Sequence, residues 1–257
     1  MPPSTVQRPR LSRRPFEPFA FEAEMTAVAA AGWRCWWPGQ RPPDFVAVEV
    51  VAPGATADLV AGAFDYVAVG ARRSAGIEPV TDWTGLLCAF TCATARTATE
   101  VAGAVGLSTS GARRSLAVAV ASGAVLRDGR HFTVNPAWRP ALTRLVAVEL
   151  KLRDWQKGLV QAQRYRRWAD ASWLILGAAS LAPAAAAPEA GVGLARLGRD
   201  GAWAKLRTAK RVRPTYALER RWAEEQVLAQ ALRAGWRLDR VTAPGATFVG
   251  APAVATG

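Results

Sequence analysis

Val146-Ala-Val-Glu149-Leu-Lys151 carries a carboxylate and an ammonium two residues apart at the end of an apolar run. If the run is a strand, the two-residue alternation puts both side chains on one face. Charges are rarely left on so apolar a strand unless they pair or act on something. The chemistry that suits this pair is metal-assisted cleavage of a phosphodiester. Glu149 is a hard oxygen ligand for Mg²⁺ or Mn²⁺, and Lys151 would orient or help deprotonate a water and neutralise charge on the phosphate. Downstream, Gln161 and Tyr165 stand at i and i+4, on one side of an expected helix. Asp58 or its rival Asp65 could supply a second carboxylate, and Glu22 or Glu24 a further one. Each residue also has a structural reading: a turn acid at Asp58, a surface pair at Glu149 and Lys151, a core aromatic at Tyr165, and an ordinary helix residue at Gln161.

The elements that must position these groups follow from periodicity and punctuation. A helix is expected over 19–31, with Phe21, Met25, Val28 and Ala29 on one face and Gly32 closing it. Trp33, Trp36 and Trp37 then read as core or edge packing. Strands are expected over 45–51 and 57–63 around the Pro53-Gly54 turn. Helices over 83–95, 98–105 and 110–122 lead to a hairpin at Asp128-Gly129. A strand over 146–152, a helix over 155–169 capped by Asp154, a strand over 173–176, a hairpin around Asp200-Gly201 and a helix over 216–234 complete the pattern. With the central helices set aside, the order suits a mixed sheet flanked by helices, an α/β (α+β) class.

In that frame the chain resembles the PD-(D/E)xK nuclease superfamily, particularly its RecB-like branch. Gly54-Ala-Thr-Ala-Asp58 looks like G-x-x-x-D, Glu149-Leu-Lys151 like E-x-K, and Gln161-Ala-Gln-Arg-Tyr165 like Q-x-x-x-Y. The resemblance implies a restriction-endonuclease-like core over 16–72 and 140–240. It implies catalytic roles for Asp58, Glu149, Lys151, Gln161 and Tyr165, with Asp58 and Glu149 on Mg²⁺ or Mn²⁺. The acids stand much farther apart in sequence than such families usually place them. An inserted domain accounts for the gap, and so does a decayed nuclease fold kept as a scaffold.

Residues 80–138 would be that insertion. Ala98–Val105, Gly106 as the stop, Leu107 as a core plug and Ser108 or Thr109 as a cap resemble the helix-turn-helix of winged-helix regulators. Arg113 and Arg114 fall near the start of the recognition helix, and Arg127, Arg130 and His131 on the wing, all facing DNA on this reading. Use of the module for protein contacts is the other reading.

The formal net charge is +13, with the basic residues mostly Arg. That excess fits a nucleic-acid partner, although base composition of the gene would also enrich Arg and Ala. Cys35, Cys88 and Cys92 match no zinc spacing, and Cys88 and Cys92 read as buried thiols on one helix face, fitting a reducing cytoplasm. The basic segment 1–15 lacks a signal-peptide core and reads as a disordered arm, and 241–257 as a flexible tail. Ser172–Ala187 is broken by proline and falls short of the roughly 20 apolar residues a membrane span needs. The expectation is a metal-dependent DNA nuclease gripping DNA through a winged helix, as a homodimer if both strands are cut. The alternatives are a DNA-binding regulator with an inactive nuclease-like domain, and a partner-binding protein whose charge is incidental.

Overall fold

The computed structural model describes residues 17–52, 54–177, 191–236 and the backbone of 248–249. The arm over 1–15, nearly all of the tail over 241–257 and much of Ser172–Ala187 lie outside the described residues. In chain order the elements are α1 (Glu22–Ala31), β1 (Phe45–Ala52), β2 (Ala55–Phe64), α2 (Tyr66–Ser74), α3 (Trp83–Thr91), β3 (Arg96–Thr97), α4 (Ala98–Val105), α5 (Thr109–Ala121), β4 (Val125–Asp128) and β5 (His131–Val134). There follow β6 (Leu142–Lys151), α6 (Trp155–Tyr165), β7 (Ala171–Gly177), β8 (Gly193–Leu197), β9 (Trp203–Arg207), α7 (Ala217–Arg233) and the short β10 (Phe248–Val249).

Six strands make a mixed sheet in the order β1-β2-β6-β7-β8-β9, and β10 extends it beside β1. β6, β7 and β8 run parallel, whereas β1 with β2, β2 with β6, and β8 with β9 are antiparallel. Helix α6 is the crossover between β6 and β7, which parallel pairing requires. Two apolar layers sandwich the sheet. On one face α1 packs Met25, Ala29 and Ala30, with Trp33, Trp36 and Trp37, against Val146, Val148, Leu150 and Trp173. On the other, α6 and α7 pack Ala162, Tyr165, Trp222 and Val227 against Ala47, Val60, Leu145 and Ala147. The latter core runs without a break into the segment α3 to β5, through Leu86, Val101, Leu116 and Phe132. That segment is three helices with a small sheet ordered β3-β5-β4.

Its junction with the large sheet is ionic at the centre. Arg72 on α2 pairs with Glu225 on α7 at 2.7 Å, both side chains almost wholly enclosed. Glu225 also accepts from Trp138 Nε1 at 3.1 Å and from the Val80 amide at 3.0 Å, and Arg72 donates to the Arg139 carbonyl. A buried pair is tolerable only when its remaining hydrogen-bonding capacity is met in this way.

Several expectations change in detail. Phe21 is 69% exposed and precedes α1 as its N-cap instead of lying on the buried face. Helix α3 stops at Thr91, so Cys92 is the C-cap and not a second thiol on a continuing helix; both thiols are nevertheless buried and free. Gly32 does end α1, but with φ −82°. Its lack of a side chain matters for space, since a Cβ there would sit 2.5 Å from Trp203 Nε1. Gly106 ends α4 in the left-handed conformation, φ 72°, where glycine carries no steric cost. Asp65, the rival acid, caps the unanticipated α2 by accepting from the Ala68 amide. Among the described residues no helix is long and apolar enough to cross a membrane.

Candidate active site

The site forms where β2 and β6 part. Their ladder ends at Leu59 opposite Val148. The next step would face Asp58 with Glu149, and there the Asp58 side chain takes over the backbone's role: its Oδ2 accepts from the Leu150 amide at 2.6 Å. The departure from regular pleating has a visible origin. Glu49 adopts φ 52°, the only non-glycine residue with positive φ among those described, and the β1–β2 register passes from Val48–Leu59 to Val50–Ala57 over the unpaired Glu49–Asp58 step. Ala47 and Val50 consequently face the same core, as do Ala57 and Val60, although strict alternation would separate each pair. The paired irregularity frees Asp58 from the two packed faces.

Glu149 is 1% exposed, at the sheet's centre. Its Oε1 meets Lys151 Nζ at 2.8 Å, and its Oε2 accepts from the Tyr165 hydroxyl. Tyr165 Oη also lies 2.6 Å from the Thr56 carbonyl, tying α6 to β2 across the site. Lys151 further reaches Glu22 at 3.3 Å, so of the two N-terminal acids it is Glu22 that joins the cluster, while Glu24 accepts from the Ala20 amide. The Lys151 stem passes over Gly158 of α6, where a Cβ would lie 2.7 Å from Lys151 Cγ. Gln161, one turn before Tyr165, has a buried Oε1 without a hydrogen-bond partner. A buried acceptor left unpaired is costly.

The electrostatics are those of a crowded acidic site. Burial, reinforced by the Glu149 charge, raises the Asp58 carboxyl from its ordinary 3.8 to about 6, against the opposing pull of the Leu150 amide and Lys151. Burial alone would lower Lys151, but the Glu149 carboxylate, with Asp58 and Glu22, outweighs it and raises the ammonium above its usual range. Burial and then Glu149 push Tyr165 upward, so its hydroxyl stays protonated and donates.

All five sequence-predicted residues therefore fall on elements that border this junction, with Asp58, Glu149, Lys151 and Tyr165 linked by contacts or by charge. Sequence reasoning missed Gly158 and the Thr56 carbonyl. An isolated glycine inside a helical pattern was a usable signal for the first, whereas a backbone acceptor leaves none.

The basic residues of the smaller segment sit elsewhere. Arg113, Arg127 and Arg130 line a groove of about 870 Å³ with Thr97, Thr99 and Phe132. Arg114 is exposed on α5 but is not part of that lining, and His131 is exposed on β5. Arg127 lies 5.8 Å over the Phe132 ring and donates to the Gly129 carbonyl, which fixes its stem against the hairpin.

Compared with protein-family models, with curated proteins and with solved structures, the chain matches none.

Proposed function

We propose that the chain is a metal-dependent DNA nuclease of the PD-(D/E)xK type, with a restriction-endonuclease-like core and a winged-helix module over 80–138 that grips the substrate. The observation that carries this reading is the convergence of Asp58, Glu149 and Lys151 at the point where the sheet opens. Asp58 and Glu149 fit a hard divalent cation, Mg²⁺ or Mn²⁺, for two reasons. Both offer carboxylate oxygens, and the raised Asp58 carboxyl marks an acid whose charge burial, and then the Glu149 carboxylate, disfavour until a cation joins it. When bound, such an ion polarises the phosphate and acidifies a water. The chain's own residues supply the rest. Lys151, held cationic by Glu149, neutralises charge on the scissile phosphate. Tyr165 orients Glu149, and Gln161, one turn before Tyr165 on α6, holds a buried Oε1 with capacity to accept a hydrogen bond. Arg113, Arg127 and Arg130 supply phosphate contacts in the groove, and the exposed Arg114 of α5 adds to the positive charge of that segment.

One observation favours a second reading, a DNA-binding regulator with an inactive nuclease-like domain. Both Glu149 oxygens are already engaged, one by Lys151 and one by Tyr165. The deciding experiment compares cleavage of labelled duplex and single-stranded DNA with Mg²⁺ or Mn²⁺ by the wild type, Glu149→Gln and Lys151→Ala. Loss of about 10²–10³-fold in rate in each variant, with unchanged circular dichroism, is expected. Salt-sensitive DNA binding without cutting by any form would establish the regulator instead.

A further inference from the structure

At the opposite end of β6 from Glu149, and on the opposite face of the sheet, lies a second polar pocket. Two adjoining cavities of about 500 and 70 Å³ share Trp37, Pro38 and Arg144. The larger opens toward Arg41 and Tyr66, and the smaller is walled by Trp173, Lys205 and Arg211. Two donors there are buried and unpartnered, Arg144 Nε and Trp173 Nε1. Arg144 lies 5.8 Å over the Trp37 ring, and Lys205 lies 5.7 Å over Trp173.

The acids in the pocket are already committed. Asp170 accepts from the Leu145 amide at 2.7 Å and pairs with Arg220 at 3.0 Å. Asp44 accepts from the Phe64 amide at 2.7 Å and from the Tyr66 hydroxyl. The cations are not: among the described residues Arg41, Arg144, Lys205 and Arg211 form no ion pair. The pocket thus combines an excess of positive charge, two unpaired buried donors and aromatic walls. Buried donors without partners are rare in folded proteins and imply an acceptor that completes them. A guanidinium beside an ammonium selects a compact, multiply charged oxyanion. The small lobe holds more than one water-sized group and suits a single phosphate, while the large lobe has the volume of a small-molecule site.

We propose that this pocket binds a phosphomonoester, with the phosphate among Arg144, Lys205, Arg211 and Trp173 Nε1 and the attached nucleoside against Trp37. The same chemistry is offered by a free nucleotide and by the phosphorylated end of a strand. The proposal does not depend on cleavage at the other end of the sheet.

The test is titration of the full chain, by tryptophan fluorescence and calorimetry, with dAMP, deoxyadenosine, and a short oligonucleotide bearing either a 5′-phosphate or a 5′-hydroxyl. The phosphorylated member of at least one pair should bind ten-fold or more tightly than its unphosphorylated counterpart. Preference confined to dAMP identifies a free nucleotide as the ligand, and preference confined to the oligonucleotide identifies a strand end. Arg144→Gln should abolish the preference, and Trp173→Phe, which keeps a ring but removes the donor, should weaken it several-fold. Glu149→Gln should leave it intact, which separates this pocket from the candidate active site. Equal binding of both members of both pairs would overturn the proposal. So would a preference that survives Arg144→Gln in a variant whose thermal unfolding matches the wild type.

Discussion

Replacing Asp58 by Asn should make the protein more stable at neutral pH, and more so as the pH rises. The folded state holds the Asp58 carboxyl at about 6, against an ordinary 3.8, because burial and Glu149 disfavour its charge. Below about pH 4 the carboxyl is neutral in both folded and unfolded chains, and its titration has no effect. Between the two values the folded chain keeps a proton that the unfolded chain releases, so stability falls with rising pH and the loss is complete above about pH 6. Two pH units at 1.36 kcal/mol each correspond to about 3 kcal/mol, which solvent screening at this partly exposed group trims to about 2 kcal/mol. Asn keeps an oxygen to accept the Leu150 amide, so the backbone contact survives while the charge goes. Urea unfolding of both proteins at pH 4, 5, 6 and 7.5 reads the difference directly, because other titrations are common to both. The variant's advantage should grow by about 2 kcal/mol across that range. Added Mg²⁺ should then close the gap by stabilising only the wild type. A difference that stays flat from pH 4 to 7.5 would refute the electrostatic account of Asp58 altogether.

Two further perturbations address the framework. Glu225→Gln leaves Arg72 charged and enclosed without its partner, and should cost about 3 kcal/mol by urea unfolding. A loss below about 1 kcal/mol would show that the hydrogen bonds, and not the charges, hold that junction. Gly32→Ala places a methyl 2.5 Å from Trp203 Nε1 and should lower stability by about 1–3 kcal/mol. An unchanged melting temperature would mean that Trp203 moves aside freely.

What the sequence disclosed about the site was the part governed by local periodicity. Alternation was enough to set Glu149 beside Lys151, and the four-residue helical spacing was enough to set Gln161 on the side of Tyr165. Asp58 could not be separated from Asp65 by sequence alone, because the two acids flank one and the same apolar run, Leu59 to Phe64. Only the register of β2 against β6 sets Asp58 where their ladder stops, on the Leu150 amide, and only the start of α2 makes Asp65 a helix cap. Helix α2 escaped notice because it has only nine residues, and on its buried face of Ala68, Val69 and Arg72 the main anchor, Arg72, looks like a surface charge until Glu225 is brought to it from far along the chain. The Glu49 irregularity was equally hidden, since nothing in a run of valines announces a left-handed residue. Helix α2 and the segment α3 to β5 fill the stretch of sequence between the two acids.

The way that filling segment joins the sheet has a thermodynamic consequence. Leu116 and Val101 belong to the same apolar body as Val60 and Leu145, and Trp83 meets Trp222 edge to face across the junction at 5.3 Å. A segment merely tethered by two linkers could be excised and would melt on its own. Here excision would strip one wall from the core that α7 shares, and heating should take both parts through one cooperative transition. On that account the described residues unfold together, and the basic groove keeps a fixed offset from the carboxylates where β2 and β6 part.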